Sequence, residues 1–260
     1  MNVIALMYHD IVEAGKARAS GFASADADIY KLDKDLFEKH LNAIEGLPEK
    51  PSLVTNSAND DGKKLLLTFD DGGRSAYTHI ADALEMRGWR GHFVVATDFI
   101  DTPTFLSRAE ICELHERGHI IGSHSASHPL RMSACSLIKM REEWKKSTEK
   151  LAAILGQKIT VASVPGGHFS KKVARAAAEN GIETLFNSEP VTRVHKIENC
   201  RIIGRYSIQR QTTTAEAAAI AQGKISPRLR QYFFWNAKKI AKKIGGEFYL
   251  EIRKRILSKR

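Results

Sequence analysis

The sequence predicts an α/β fold of parallel strands joined by helices. Three observations carry this. Short apolar runs recur along the chain, separated by helical patterns of roughly 10 to 20 residues. Glycines stand where three of those helices stop, at Gly118, Gly156 and Gly181. Residues that carry chemistry follow directly on strand ends: Asp70 and Asp71, His124, Pro165 and Gly166. In α/β barrels that rim holds the site, because the βα loops converge there.

The elements follow in order. Residues 1–12 read as a buried strand whose apolar run breaks at His9, and 13–32, rich in Ala, Ser, Gly and Asp, as a polar loop. Leu36, Phe37, His40, Leu41 and Ile44 repeat at helical spacing over 33–47, with Asp33 as cap. A turn-rich connection over 48–63 leads to a buried strand at 65–69. Helices are then expected at 76–87, 108–117, 137–155 and 171–180. Strands are expected at 91–96, 119–123, 161–164, 183–186 and 200–203.

Bulk numbers narrow the class. A chain of 260 residues suits one large domain or one domain with an appendage, and 43% hydrophobic residues is ordinary for a globular protein. Cys112, Cys135 and Cys200 are odd in number and form no Cys-x-x-Cys, which argues against a disulfide framework and a cysteine zinc site. No apolar run is long enough to span a membrane and no secretory leader is evident, so the expected location is the cytoplasm. Net charge is +10, and residues 224–260 hold 12 Lys and Arg against 2 Glu, so the whole excess lies there. The division expected is therefore 1–223 as the working domain and 224–260 as a basic, aromatic-containing helical extension.

Asp70-Asp71-Gly72 ends the run Leu65-Leu66-Leu67-Thr68-Phe69, and His124-Ser125-Ala126-Ser127-His128-Pro129 follows the next strand but one. Taken singly, the first reads as a solvated turn and the second as structural histidines. Together, each at a strand end, they supply one carboxylate and two imidazoles for a divalent ion, most naturally Zn2+: Asp71, His124 and His128. On a helical turn the two rings would face one way. Ser123, Ser125 and Ser127 are placed to fix the ring tautomers. Asp70 is left free as general base.

These two motifs resemble those of the NodB-type polysaccharide deacetylases, carbohydrate esterase family 4, over about residues 3–210. The resemblance implies a deformed (β/α) barrel and a metal-dependent deacetylase, with Asp70 as base and Asp71, His124 and His128 as ligands. It implies an acetylated glycan as substrate, with an N-acetylated amino sugar the leading expectation. The third family motif matches only in Pro165 and Gly166-Gly167; the Arg that holds the catalytic carboxylate is missing, and Arg205 and Arg74 are the candidates to replace it. Gly166 N–H is the expected oxyanion donor. The late His of the family is also missing, but Leu6-Met7-Tyr8-His9-Asp10 resembles the permuted biofilm-polysaccharide deacetylases, which makes His9 the candidate acid and His168 its reserve. Pro165, Gly167, Glu189 and Arg205 are expected to meet substrate; for Glu189, in a loose match to the fourth motif, a turn cap is the favoured alternative.

Two other readings stay open: a catalytically impaired glycan-binding or membrane-associated protein, and an amidohydrolase acting on a non-sugar amide. For residues 224–260, clustered Lys and Arg beside aromatic residues suit an anionic membrane surface at the inner face, or a helix packed on the domain. No module for nucleic-acid binding accompanies the charge.

Overall fold

The computed structural model describes residues 2–54 and 63–237. Strand β1 (Asn2–Tyr8) is followed by β2 (Ile11–Val12), helix α1 (Ala25–Asp28), β3 (Leu32–Asp33), α2 (Lys34–Glu45) and β4 (Lys63–Phe69). A π-helical turn, Ala76–Ile80, runs into α3 (Ala81–Glu85). Then come β5 (His92–Val95), α4 (Arg108–Glu116), β6 (Ile120–Ser123), α5 (Leu137–Leu155), β7 (Val161–Ser163), α6 (Lys171–Glu179) and β8 (Thr184–Phe186). The chain continues through β9 (His195–Ile197), β10 (Cys200–Ile203), β11 (Tyr206–Ser207) and α7 (Thr214–Ala221). Residues 225–237 form a further helix, α8.

One nine-stranded sheet has the order β11-β1-β4-β5-β6-β7-β8-β10-β9. All ladders are parallel except β9 with β10. Strands β11 and β9 stand at the two edges, so the sheet curls into a barrel that strand pairing leaves open. The gap is crossed where Val3 N donates to Thr192 O (2.9 Å) and Asn2 bridges Arg193.

The strands are apolar on both faces because both faces are covered. Ile4, Leu6, Tyr8, Leu65, Leu67 and Phe69 pack among the helices in the large core. Val3, Ala5, Leu66, Val161, Phe186 and Ile203 form a second, smaller cluster on the opposite face. The pleat then places Thr68 and Asp70 in the same row as Leu66, aimed into the barrel.

The helices are bounded by local chemistry. Ser107 and Glu110 form a reciprocal capping box at α4. Ser136 caps α5, which ends at Gly156 with φ 68°. Asp33 occupies the cap position of α2 but makes no side-chain cap bond, contrary to expectation.

Two other expectations need correction. Residues 1–12 are two strands, and β2 pairs with β3 in a separate two-stranded sheet. Residues 13–32 are not a plain polar loop: they contain α1 and wrap around a buried ammonium. Lys31, 1% exposed, donates to the carbonyls of Ala17 (2.6 Å), Ser20 (2.8 Å) and Phe22 (2.6 Å). One cation thus orders three backbone oxygens that no ladder satisfies.

Candidate metal centre and its carboxylate

The site lies at the C-terminal ends of β1, β4, β6 and β7, where four loops meet. After β4 the chain turns sharply, with Asp71 at φ 76° and Gly72 at φ 81°. Gly72 is needed twice over: a Cβ there would adopt a strained φ and sit 2.8 Å from Val95 Cγ1. The turn is tied down by Ala96 N donating to Asp71 O (3.1 Å) and Leu106 N to Gly72 O (3.0 Å). Asp70 and Asp71, adjacent in sequence, then serve different partners.

Asp71 faces the two histidines. Its Oδ1 lies 3.3 Å from His124 Nε2 and 3.4 Å from His128 Nε2. A tetrahedral ion with ligands at its usual distance separates its donors by about 3.3 Å, which both Asp71 contacts match, and the three donor atoms all lie within 4.8 Å of one another, so the set suits Zn2+ or a similar ion. Burial pushes the Asp71 carboxyl up, but hydrogen bonds from His124 and His128 outweigh it and hold the group well below the usual carboxylate range. The same contact raises His128 against the effect of its burial.

The histidine loop is not the helical turn expected from the spacing. It is irregular, with Ser125 at φ 64° and His128 at φ 52°, and this backbone brings the ring centroids to 5.0 Å. Glu143 of α5 holds the loop: its carboxylate accepts from Ala126 N (3.0 Å), Ser127 N (2.8 Å) and Ser127 Oγ (2.7 Å). His124 Nδ1 donates to Ser163 O (3.2 Å), and Ser163 Oγ also lies against Nδ1, so Nε2 is the nitrogen left for a metal. The serines of the motif bond elsewhere: Ser123 Oγ to Ser147 Oγ (2.5 Å), while Ser125 Oγ accepts from His128 N (3.2 Å).

Asp70 faces the barrel interior. Arg205, fully buried, grips it with two parallel bonds, NH1 to Oδ1 (2.6 Å) and NH2 to Oδ2 (2.7 Å). Arg205 Nε donates to Asn187 O (3.1 Å) and NH1 also to Thr68 Oγ1 (3.1 Å). Burial alone would raise the Asp70 carboxyl; the Arg205 charge and then His124 lower it below its ordinary value. Asp70 Oδ2 is 3.9 Å from His124 Nε2, so this carboxylate stands beside the donor cluster. Arg205 was expected among residues meeting substrate; enclosed as it is, its partner is Asp70. Arg74 is excluded from that post, because it pairs with Glu110 (2.9 Å).

His9 follows β1 directly and is half-buried, with Nδ1 buried and without a hydrogen-bond partner. The Tyr30 ring lies over it at 4.6 Å. Burial holds its pKa below the ordinary imidazole value against the pull of Asp71 and Asp70. Pro165–Gly167 form a tight turn after β7, with Gly166 exposed at φ 62° and Gly167 beside Ser188. Glu189 N donates to Asn187 Oδ1 (2.9 Å), so the side chain that caps this turn is that of Asn187. His168 sits half-exposed just past that turn.

Sequence reasoning missed four residues that shape the site. Ser163 and Glu143 orient the histidines. Phe22 places its ring 4.8 Å from that of His128. Asp10, 2% exposed, accepts from Ser20 Oγ (2.5 Å) and Ser75 Oγ (2.8 Å) and so ties the segment before α1 to the turn after β4. Only Asp10, quoted beside His9, and Ser163, two places before Pro165, lay inside stretches the motifs had marked.

Comparison with known proteins places this geometry. Residues 57–185 match the family model described as polysaccharide deacetylase. The peptidoglycan-N-acetylmuramic acid deacetylase PdaA of Bacillus subtilis is 30% identical over 131 residues, which is 49% of this chain and 48% of that protein. The chain spans about half the length of such curated relatives. A polysaccharide deacetylase from Bacillus cereus superposes with TM-score 0.70 at 20% identity, covering 85% of this chain and 69% of that one. IcaB from Ammonifex degensii superposes with TM-score 0.68 at 20% identity, covering 85% and 97%. Both share the curled barrel.

Proposed function

Since the chain carries a polysaccharide deacetylase domain, we propose that it is a metal-dependent hydrolase that removes acetyl groups from an N-acetylated sugar, in a polysaccharide or a lipid-linked glycan precursor. The observation that carries this reading is the convergence of Asp71, His124 and His128 with Asp70 held beside them by Arg205. The peptidoglycan deacetylases among its relatives support the substrate class.

Asp71, His124 and His128 would hold the ion, which when bound supplies Lewis acidity for the acetyl carbonyl and for a water. Asp70 remains ionised because Arg205 lowers its pKa, and it takes the proton from the attacking water. Arg205 fixes the direction of that carboxylate. Gly166 N–H donates to the oxygen on which charge develops. His9 delivers a proton to the departing nitrogen, so that amide and water leave as amine and acetate. Pro165 and Gly167 shape the adjoining rim, and Glu189 meets the substrate beyond it.

The complete donor set disfavours an impaired binding protein, and the relatives disfavour a non-sugar amide. No helix among the described residues is long and apolar enough to cross a membrane. The three free thiols support a cytoplasmic setting as part of the proposal.

The test uses the purified chain with zinc, assayed for acetate release from chitooligosaccharides and peptidoglycan. Asp70→Asn is expected to keep its metal, counted by atomic emission, and to lose activity about a thousandfold. Near-full turnover of that variant with metal in place would remove Asp70 from its role.

A further inference from the structure

Helix α8 stands on the edge of the sheet. Arg228 anchors it: Nε donates to Tyr206 Oη (2.8 Å), NH1 to Gly223 O (3.1 Å), and the guanidinium lies 5.4 Å from the Tyr206 ring. Almost one turn on, Gln231 Oε1 accepts from Ser207 N (3.1 Å) and its Nε2 donates to Ser207 O (2.9 Å). An amide side chain thus continues the ladder of an edge strand whose backbone would otherwise be unpaired. Residues three apart share a helix face, so these anchors fix which face of α8 looks outward.

That outward face is apolar. Ile225, Leu229 and Phe233, spaced i, i+4, i+8, are 69%, 46% and 66% exposed, Tyr232 beside them is 42% exposed, and Phe234, about 100° further round the helix, is 63% exposed. A contiguous row of this kind marks a surface meant to be covered. Its charge setting selects the cover: residues 224–260 hold 12 Lys and Arg against 2 Glu. Aromatic rings with clustered cations in the same segment match the headgroup layer of an anionic bilayer, where rings sit at the interface and each basic residue adds attraction to the lipid charge.

Direction matters as well. Tyr206 pairs with Leu6 and Ser207 with Met7. Arg228 NH2 also reaches Thr192 Oγ1 (3.4 Å), whose carbonyl meets Val3 near the start of β1, whereas Gln231 meets Ser207, the partner of Met7 near its end, so α8 climbs in the direction in which β1 leads to His9 and the rim that carries the donor cluster. We propose that the Ile225–Leu229–Phe233 face of α8 docks on an anionic lipid surface and so holds the catalytic rim beside the headgroups. This rests on the anchored helix and its charge, and stands whether or not the chain is a deacetylase; with that reading it favours a lipid-attached glycan.

Flotation of the full chain with vesicles tests it. The chain should float with phosphatidylglycerol-containing vesicles, and about tenfold less with pure phosphatidylcholine or in high salt. Leu229→Glu with Phe233→Glu, and separately Phe233→Ser, should cut flotation about tenfold while circular dichroism and acetate release from a soluble oligosaccharide stay unchanged. Failure to float, or flotation indifferent to these variants, overturns the proposal. So does a dimer, seen by light scattering without lipid, that the same variants split, since the face would then belong to a second copy. Flotation, circular dichroism and light scattering need no turnover, so their failure is separable from a failure of the deacetylase reading.

Discussion

Asp70 and Asp71 show how two like residues acquire unlike duties from their surroundings. One is ionised because a guanidinium enters the barrel to meet it, the other because two imidazoles do so from the rim. Arg205→Met leaves the Asp70 carboxylate buried and unpaired, at a cost of about 3–5 kcal/mol in unfolding free energy. Urea denaturation would show it, and the surviving fraction should lose kcat with KM little changed. Arg205→Lys keeps the charge but not the paired bonds, so recovery of stability without full kcat would separate charge from aim. The donor residues were legible in the sequence because each follows an apolar strand. The grip of Arg205 was legible only as one of two candidates: the motif that usually supplies an Arg holds Ser163 instead, and a contact spanning 135 residues leaves no local pattern to separate Arg205 from Arg74.

Among the elements, α5 does more than cover the sheet. Its Glu143 satisfies three donors of the histidine loop, whose backbone departs from any repeating structure. Glu143→Gln removes the charge and leaves only one acceptor oxygen; zinc affinity should fall about 10- to 100-fold in a competition titration, with the helix content unchanged. Alternating strands and helices were readable from periodicity, and the glycine stops at 118, 156 and 181 coincide with helix ends to within a residue or two. The short strands β9 and β11 and helix α7 escaped, since two- and three-residue strands carry no period. The segment before α2 escaped for another reason: its order comes from Lys31 binding carbonyls, and carbonyls have no sequence signature.

For the molecule as a whole, three histidines lie inside the fold away from the donor cluster. His92 is held to about 4 by burial, and burial also lowers His40 and His119. His92 Nδ1 donates to Leu67 O while Nε2 accepts from Val54 N, so a second ring proton would break the latter bond. Between pH 6.5 and about 4 the unfolded chain binds more protons at His92 than the folded one, so stability rises with pH across that window and is lost as pH falls. His92 alone should cost about 2 kcal/mol on going to pH 5, measured from urea midpoints, and His92→Gln should flatten the slope. The basic extension was legible as charge, but which way its apolar side faces came only from the anchors at Arg228 and Gln231. The curled sheet carries a further consequence, in the order of biosynthesis. The ion's three donors have all been translated by residue 128, whereas β1 gains its β11 neighbour and Asp70 its guanidinium only after residue 205 has emerged from the ribosome. Glu143 and Ser163, which hold the histidine loop, follow the donors along the chain, and the guanidinium that aims Asp70 follows them all, so the paired setting of that carboxylate is the last part of the constellation to be made.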